Sequence, residues 1–474
     1  MSDSKKITWY NLAFMAFSTV WGFGNVLNGF IYFNGIQVIF SWILMFALYF
    51  VPYALMVGEL GSAFKNSGGG VSSWIHETMG PKFAYYAGWT YWACHITYIA
   101  SKGSGALKAI SWMIFQNGTT FATFSPKLIQ LATLAIFLFF AWVASRGLNP
   151  LKKLATLAGT SMFVMSILYI VMMFAAPAIN PNGGYLAMDF SFDNLIPQFN
   201  LGYFSSLSIL VFAVGGCEKI SPYVNKVENP SKGFPKGMIT LAIMVMVCAI
   251  LGTIAMGMMF SPADIAANFD AYNANGSYWA FQKLGEYYEM GNALMIIYAA
   301  CNAIGQCSTL VISIDAPLRM LLDNEDARQF IPSKLLKKNK FGAYINGIWM
   351  VVALSGTIIL IQALVPSADA ILRQLTQLNS VTMPMRYLWV FAAYIALRKA
   401  AGKFNPEYKF VKSQSIALTA GAWCFVVTAA SCLLGMYKPG DMFTTLLNIV
   451  TPLVLLALGL IMPALKKRED AKAQ

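Results

Sequence analysis

The sequence predicts an all-α membrane protein of about twelve transmembrane helices, two of them broken at mid-membrane. Three observations predict it. Of the 474 residues, 58% are hydrophobic and only 11% charged, with mean hydropathy +0.59; soluble domains carry roughly 25% charged residues. Apolar runs of about 20 residues, enough to cross a bilayer, recur along the whole chain. Two of those runs are interrupted, at Gly22-Phe23-Gly24-Asn25 and at Val214-Gly215-Gly216-Cys217. The runs place spans near 8–32, 36–61, 82–115, 127–145, 151–177, 201–219, 236–260, 289–322, 342–365, 369–397, 414–436 and 442–464.

The first span holds the stretch STVWGFGNVLNGF. Gly22, Gly24 and Gly29 make continuous helix costly, and Asn25 and Asn28 carry amides to a depth where polar groups are expensive. Non-helical backbone survives there only where it faces protein or a water-filled cavity. The span therefore reads as broken, with freed backbone groups lining a site. The third span carries Tyr91, His95, Tyr98 and Lys102 at intervals of four, three and four, one face of a helix. A polar stripe at membrane depth normally faces the bundle interior. His95 suits proton transfer or sensing of substrate charge, and Lys102 suits an acidic substrate. The plainer alternatives are a satisfied structural histidine and a lysine snorkelling outward.

The sixth span repeats the break of the first. Two glycine-interrupted spans in corresponding positions of two halves are the best sequence pointer to a transporter's binding site. Freed N–H groups at Gly22 to Asn25, at the start of a half-helix, suit a carboxylate. The carbonyls of Val214, Gly215 and Gly216 suit an ammonium. A kink for helix packing is the alternative. The eighth span holds Asn302, Gln306, Ser308 and Thr309; the adjacent hydroxyls of Ser308 and Thr309 either back-bond their own helix or join span-one carbonyls around sodium. The tenth holds Thr376, Gln377, Asn379, Thr382 and Arg386 around Pro384, as cavity wall or as helix–helix glue.

Charge sets orientation. With the N-terminus inside, the segments expected on that side hold 26 of the 33 Lys and Arg residues, the bias expected of cytoplasmic loops. Both termini are then cytoplasmic, and the +13 net charge is a topology signal rather than a nucleic-acid footprint. The seven cysteines lie nearly all in apolar runs without a CxxC, as small buried hydrophobes. No HExxH, GxSxG or P-loop occurs, so the sequence offers no enzymatic constellation. No cofactor and no metal is expected, sodium at Ser308 and Thr309 aside.

Three blocks carry a family resemblance. FAVGGCEKISPYVNKVENPSKGFP (212–235) resembles the sixth-span signature of the amino acid–polyamine–organocation (APC) permeases: an aromatic residue, a glycine break, an acidic residue and E-x-x-N-P-x-x-x-x-P. GELGSAFKNSGGGVSSWIHETMGPKFAYYAGWTYW (58–92) resembles the loop between the second and third spans. IDAPLRMLLDNEDARQFIPSKLLKKNKFGAYINGIW (314–349) resembles the segment after span eight in the glutamate/GABA antiporter-like branch.

The resemblance implies one transporter domain over 1–474: inverted five-span repeats at 1–177 and 201–397, broken spans one and six, and two additional helices at 414–464. It implies a central site for amino acids or their decarboxylated derivatives and alternating access in the cytoplasmic membrane. Antiport is preferred; proton-coupled symport is the alternative, and a transport-inactive sensor is a third class that the short tails disfavour. Phe212 matches the family's aromatic gate, unless it is a core or lipid-facing ring. Glu218 matches its acidic position, for proton coupling or for pairing with Lys219 or another cation. Many members carry a span-five lysine at the ion position, yet residues 154–176 hold no charged side chain. The expected substrate-binding set is Gly22, Phe23, Gly24, Asn25, His95, Phe212, Val214, Gly215, Gly216 and Cys217, with Phe212, Glu218 and Lys102 in coupling or gating. His95 and Lys102 lean toward an acidic or neutral amino acid over a cationic one. The expected partners are that substrate and the bilayer, with a homodimer left open and no nucleic acid.

Overall fold

Nine helices among the described residues are long and apolar enough to cross a bilayer. The computed structural model describes residues 6–324, 326–365, 379–400, 402–438 and 440–473. The first span is the helix pair α1 (Trp9–Val20) and α2 (Gly24–Tyr32). The second is α3 (Val38–Met45), a π-turn at Phe46–Phe50 and α4 (Val51–Ala63). After the short α5 (Val71–Met79) comes the 35-residue α6 (Pro81–Phe115), more polar than its neighbours because it carries the lysine and histidine stripe. The one-turn α7 (Thr119–Thr123) leads to α8 (Pro126–Ser145) and α9 (Leu148–Ile179).

The second half begins after the short α10 (Phe192–Leu195) with α11 (Leu201–Val214). A 3-10 helix, Cys217–Lys226, follows it, then α12 (Pro230–Gly257). Two helices, α13 (Pro262–Ala267) and α14 (Phe269–Tyr287), precede α15 (Ala293–Leu322) and α16 (Ile345–Leu364). The tenth span is described from α17 (Asn379–Met385) into α18 (Tyr387–Lys399). The chain closes with α19 (Gln414–Met436), α20 (Met442–Leu458) and α21 (Ile461–Ala473). Each expected span has its helix. Thr376 and Gln377 lie outside the described residues.

Packing shows why these helices are apolar all round. Leu131, Leu138 and Trp142 of α8, and Val426 and Leu433 of α19, stand exposed at helical spacing. In a bilayer those faces meet lipid rather than water. The interior is built on α6 and α15, the helix pair with the most extensive contact in the fold. Close backbone approach is used where α9 crosses α1: a Cβ on Gly159 would lie 1.8 Å from the Phe14 carbonyl oxygen. Small residues at such crossings let main chains touch. The chain is a multi-pass membrane protein.

One end of the bundle is cross-linked by polar contacts. Ile7 lies alongside Val227, accepting from the Glu228 N–H and donating to the Lys226 carbonyl, each at 2.8 Å. Tyr223 Oη and Arg319 Nε both donate to Asp315 Oδ2, at 2.7 and 2.6 Å. Just past α15, burial pushes the Asp323 carboxyl up, but hydrogen bonds from Lys338 Nζ (2.8 Å) and Tyr344 Oη (2.5 Å) outweigh it. With Arg319 beside it, the group sits below its ordinary 3.8. A depressed carboxylate adds stability above its unfolded value that is lost as the pH falls through the folded one. Thermal unfolding in detergent should therefore show a stability loss below about pH 4 that Asp323→Asn removes. An unchanged acid slope in that variant would put the loss elsewhere.

Candidate functional site

The glycines break both spans as the sequence requires. After α1 the chain is extended at Trp21 (φ −125°, ψ 136°), and α2 starts afresh at Gly24. The N–H groups of Gly22, Phe23 and Gly24 have no backbone acceptor, while Asn25 N–H reaches back to the Gly22 carbonyl at 2.9 Å. In the sixth span, Gly215 is extended and Gly216 takes φ +106°, a left-handed conformation open to glycine at little cost. The chain does not resume as α-helix there. Pro222 lies inside the next ten residues, and they wind as a tighter 3-10 helix that extends past the expected end at 219. The two breaks meet: Asn25 Nδ2 donates to the Ala213 carbonyl and to the Val20 carbonyl, both at 3.2 Å.

Around the breaks lies a cavity of about 550 Å3. Of the expected residues, Gly22, Phe23, Gly24, Asn25, Phe212, Gly215, Gly216, Lys102 and Thr309 line it. Val214, Cys217, His95, Glu218 and Ser308 do not, and all five are buried behind its wall. Val214 and Cys217 flank the two lining glycines, and both side chains are buried in the core. The polar stripe on α6 divides. Tyr98 and Lys102 face the cavity, with Lys102 Nζ 4.5 Å from the Tyr98 ring centre. His95 and Tyr91 are covered by Arg386, which lies between α17 and α18. His95 Nδ1 is 2.5 Å from the Tyr91 carbonyl, which makes Nδ1 the protonated nitrogen; Nε2 then accepts from Arg386 Nη1 at 3.0 Å.

Glu218 pairs with Arg386 (Nε to Oε1, 3.6 Å) rather than with Lys219, and its other oxygen accepts from the Tyr53 hydroxyl. Lys219 instead turns to α15 and donates to Ser313 Oγ at 2.7 Å. The Thr309 hydroxyl donates to Ser18 and Gly305 carbonyls at 3.1 and 2.9 Å, and Ser308 Oγ lies 3.4 Å from Ser18 Oγ. The hydroxyl pair thus ties α15 to α1. Asn302 and Gln306 line the cavity beside Gly305.

Sequence reasoning missed the cavity's charge. Four cations line it, Lys102, Lys108, Lys219 and Arg386, with no carboxylate among the described lining residues. Lys108 donates to the Ala274 carbonyl of α14, whose Asn273 and Ser277 also reach the wall. The signal for Lys219 was its place three residues past a break, where one turn of 3-10 helix brings the side chain back; its N–H bonds the Gly216 carbonyl at 3.0 Å.

A family model described as amino acid permease matches residues 7–466. An aspartate/glutamate permease of Lactococcus lactis subsp. cremoris is 48% identical over 99% of this chain and 97% of its own length. An inner membrane transporter of Escherichia coli is 25% identical over 94% of each chain. A glutamate/gamma-aminobutyrate antiporter of Lactococcus lactis subsp. lactis is 24% identical over 49% of this chain and 45% of its own. These matched proteins are named as transporters, in keeping with the absence of an enzymatic motif. With a match that runs from the strand-like contact at Ile7 through both broken spans to α21, the chain belongs to the amino acid permease family.

Proposed function

We propose that this permease is a secondary transporter of acidic amino acids, aspartate and glutamate, moving them by alternating access across the cytoplasmic membrane. The observation that carries the reading is the sign of the cavity: four cations and no described carboxylate at membrane depth. Charges are expensive there unless they serve a polar pathway or a partner. A carboxylate 4 Å from one such cation gains about 4 kcal/mol at an effective dielectric of 20. The cavity's size suits a small molecule. The α-carboxylate meets the bare N–H groups of Gly22 to Gly24, and the ammonium meets the carbonyls of Gly215 and Gly216, which line the cavity. Phe212 closes over the substrate. The name of the 48% identical relative agrees with this substrate class.

Inverted repeats at 1–177 and 201–397, with helices 414–464 added, supply the rocking halves, and both termini lie on the cytoplasmic side. Exchange is the preferred mode, in line with the antiporter among the relatives. One observation favours proton-coupled uptake instead: Glu218 is fully buried beside the break, and its Oε1 has no hydrogen-bond partner. Proteoliposomes separate the modes. Under exchange, vesicles loaded with unlabelled aspartate accumulate labelled aspartate, and empty vesicles given a proton gradient do not. The opposite ranking assigns proton coupling. Uptake of neutral or cationic amino acids alone would overturn the acidic-substrate reading.

A further inference from the structure

Among the cavity's four cations, Lys219 is the one whose situation calls for a ligand. It is only 3% exposed, yet it lines the cavity. Its Nζ makes one hydrogen bond, to Ser313 Oγ, and stands 5.2 Å from the Tyr98 ring centre. An ammonium carries three donors. Among the described residues no carboxylate forms an ion pair with it; its neighbour Glu218 is turned to Tyr53 and Arg386. The other three differ. Arg386 has Glu218 and His95, Lys108 has the Ala274 carbonyl, and Lys102 is only partly buried. A buried charge without a counter-ion is strongly unfavourable. The Tyr98 ring face and one hydroxyl offset only part of that.

We propose that Lys219 is the specificity-determining residue, holding the side-chain carboxylate of the substrate. This rests on the acidic-substrate reading above and goes further by naming the discriminating group. Lys219 stands one turn from the second break, so an amino acid held by its α-groups at the two breaks presents its side chain to this ammonium. A neutral side chain leaves the ammonium unpaired. A site built around a buried polar group rejects an analogue that lacks the matching group. Tyr98 stands under two ammonium groups, those of Lys102 and Lys219.

The test is binding of aspartate and of its neutral isostere asparagine to the purified full chain, by thermal shift and by competition for uptake. In Lys219→Met, aspartate affinity falls roughly 30- to 100-fold, the loss expected when a charged partner leaves a carboxylate. Asparagine affinity holds or rises, and Lys219→Arg restores the preference for aspartate. Aspartate affinity within about threefold of wild type would overturn the assignment, as would equal loss of both ligands. If Lys219→Met does not fold, Ser313→Ala removes the acceptor and keeps the charge; it should shift aspartate more than asparagine, and equal shifts count against the proposal. A wild-type protein that prefers asparagine to aspartate sinks the acidic-substrate reading itself, whatever the variants do.

Discussion

Arg386→Met is expected to abolish transport and to lower stability by about 3 kcal/mol or more, the cost of leaving a buried charge without its partner. The side chain is 4% exposed and reaches two other elements, the 3-10 helix through Glu218 and α6 through His95 and Tyr91. Its Nε faces Glu218 at 3.6 Å, its Nη1 bonds His95 at 3.0 Å, and it lies 5.0 Å from the Tyr91 ring centre. Glu218 is wholly buried, with the Tyr53 hydroxyl as its other partner. Without Arg386, one hydroxyl is left to balance a carboxylate at membrane depth. The second break loses its anchor to the tenth span, since Glu218 sits two residues past Gly216. The double variant Arg386→Met, Glu218→Gln removes both charges and should recover most of the stability without recovering transport. Thermal unfolding of the detergent-purified protein and uptake in proteoliposomes measure the two effects separately. Wild-type stability in the single variant would mean that Glu218 does not depend on this cation.

Gly159→Val is expected to give the largest packing defect in the fold. Overpacking a core commonly costs about 1–3 kcal/mol, because neighbouring side chains shift to make room. Here the obstacle is main chain: a Cβ would stand 1.8 Å from the Phe14 carbonyl oxygen and 2.5 Å from its carbon. Helix α1 must move away from α9, and α1 is the half-span that delivers Gly22 to the cavity. Folded yield, read as monodisperse protein by size-exclusion chromatography, should collapse. Gly356→Ala on α16 is the control: its nearest neighbours, on Leu134 and Phe137, lie at 3.8 Å, an ordinary contact. Alanine exceeds glycine in helix propensity by roughly 1 kcal/mol, so that variant should be neutral or slightly stabilised. Equal yields from the two variants would show that α1 and α9 are free to separate.

Much of the site was legible because the membrane makes local sequence decisive. A glycine pair inside an apolar run has few meanings in a solvent that cannot satisfy bare backbone, so Gly22-Phe23-Gly24 and Gly215-Gly216 announced the breaks. Periodicity placed Tyr98 and Lys102 on one face of α6. The same periodicity placed His95 with them, and there it fell short. Which part of the stripe on the 35-residue α6 is covered depends on where another helix crosses it, and Arg386 lies 291 positions away from His95 in the chain. Lys219 read as a neighbour for Glu218 because adjacent opposite charges look like a pair. The 3-10 turn after Gly216 aims them apart, one toward Arg386 and the other toward Ser313.

By itself the sequence determined a membrane-embedded chain of apolar helices and the two points where helix gives way. Those follow from hydropathy and from the cost of glycine, quantities that each residue carries locally. Only the tertiary structure decided that the interruptions touch, that Glu218 and His95 stand behind the wall, and that the charged side chains among the described lining residues are all cations. The physical reason is that a field inside a bundle sums over side chains from α6, the sixth span and the tenth, and no single helix carries that sum.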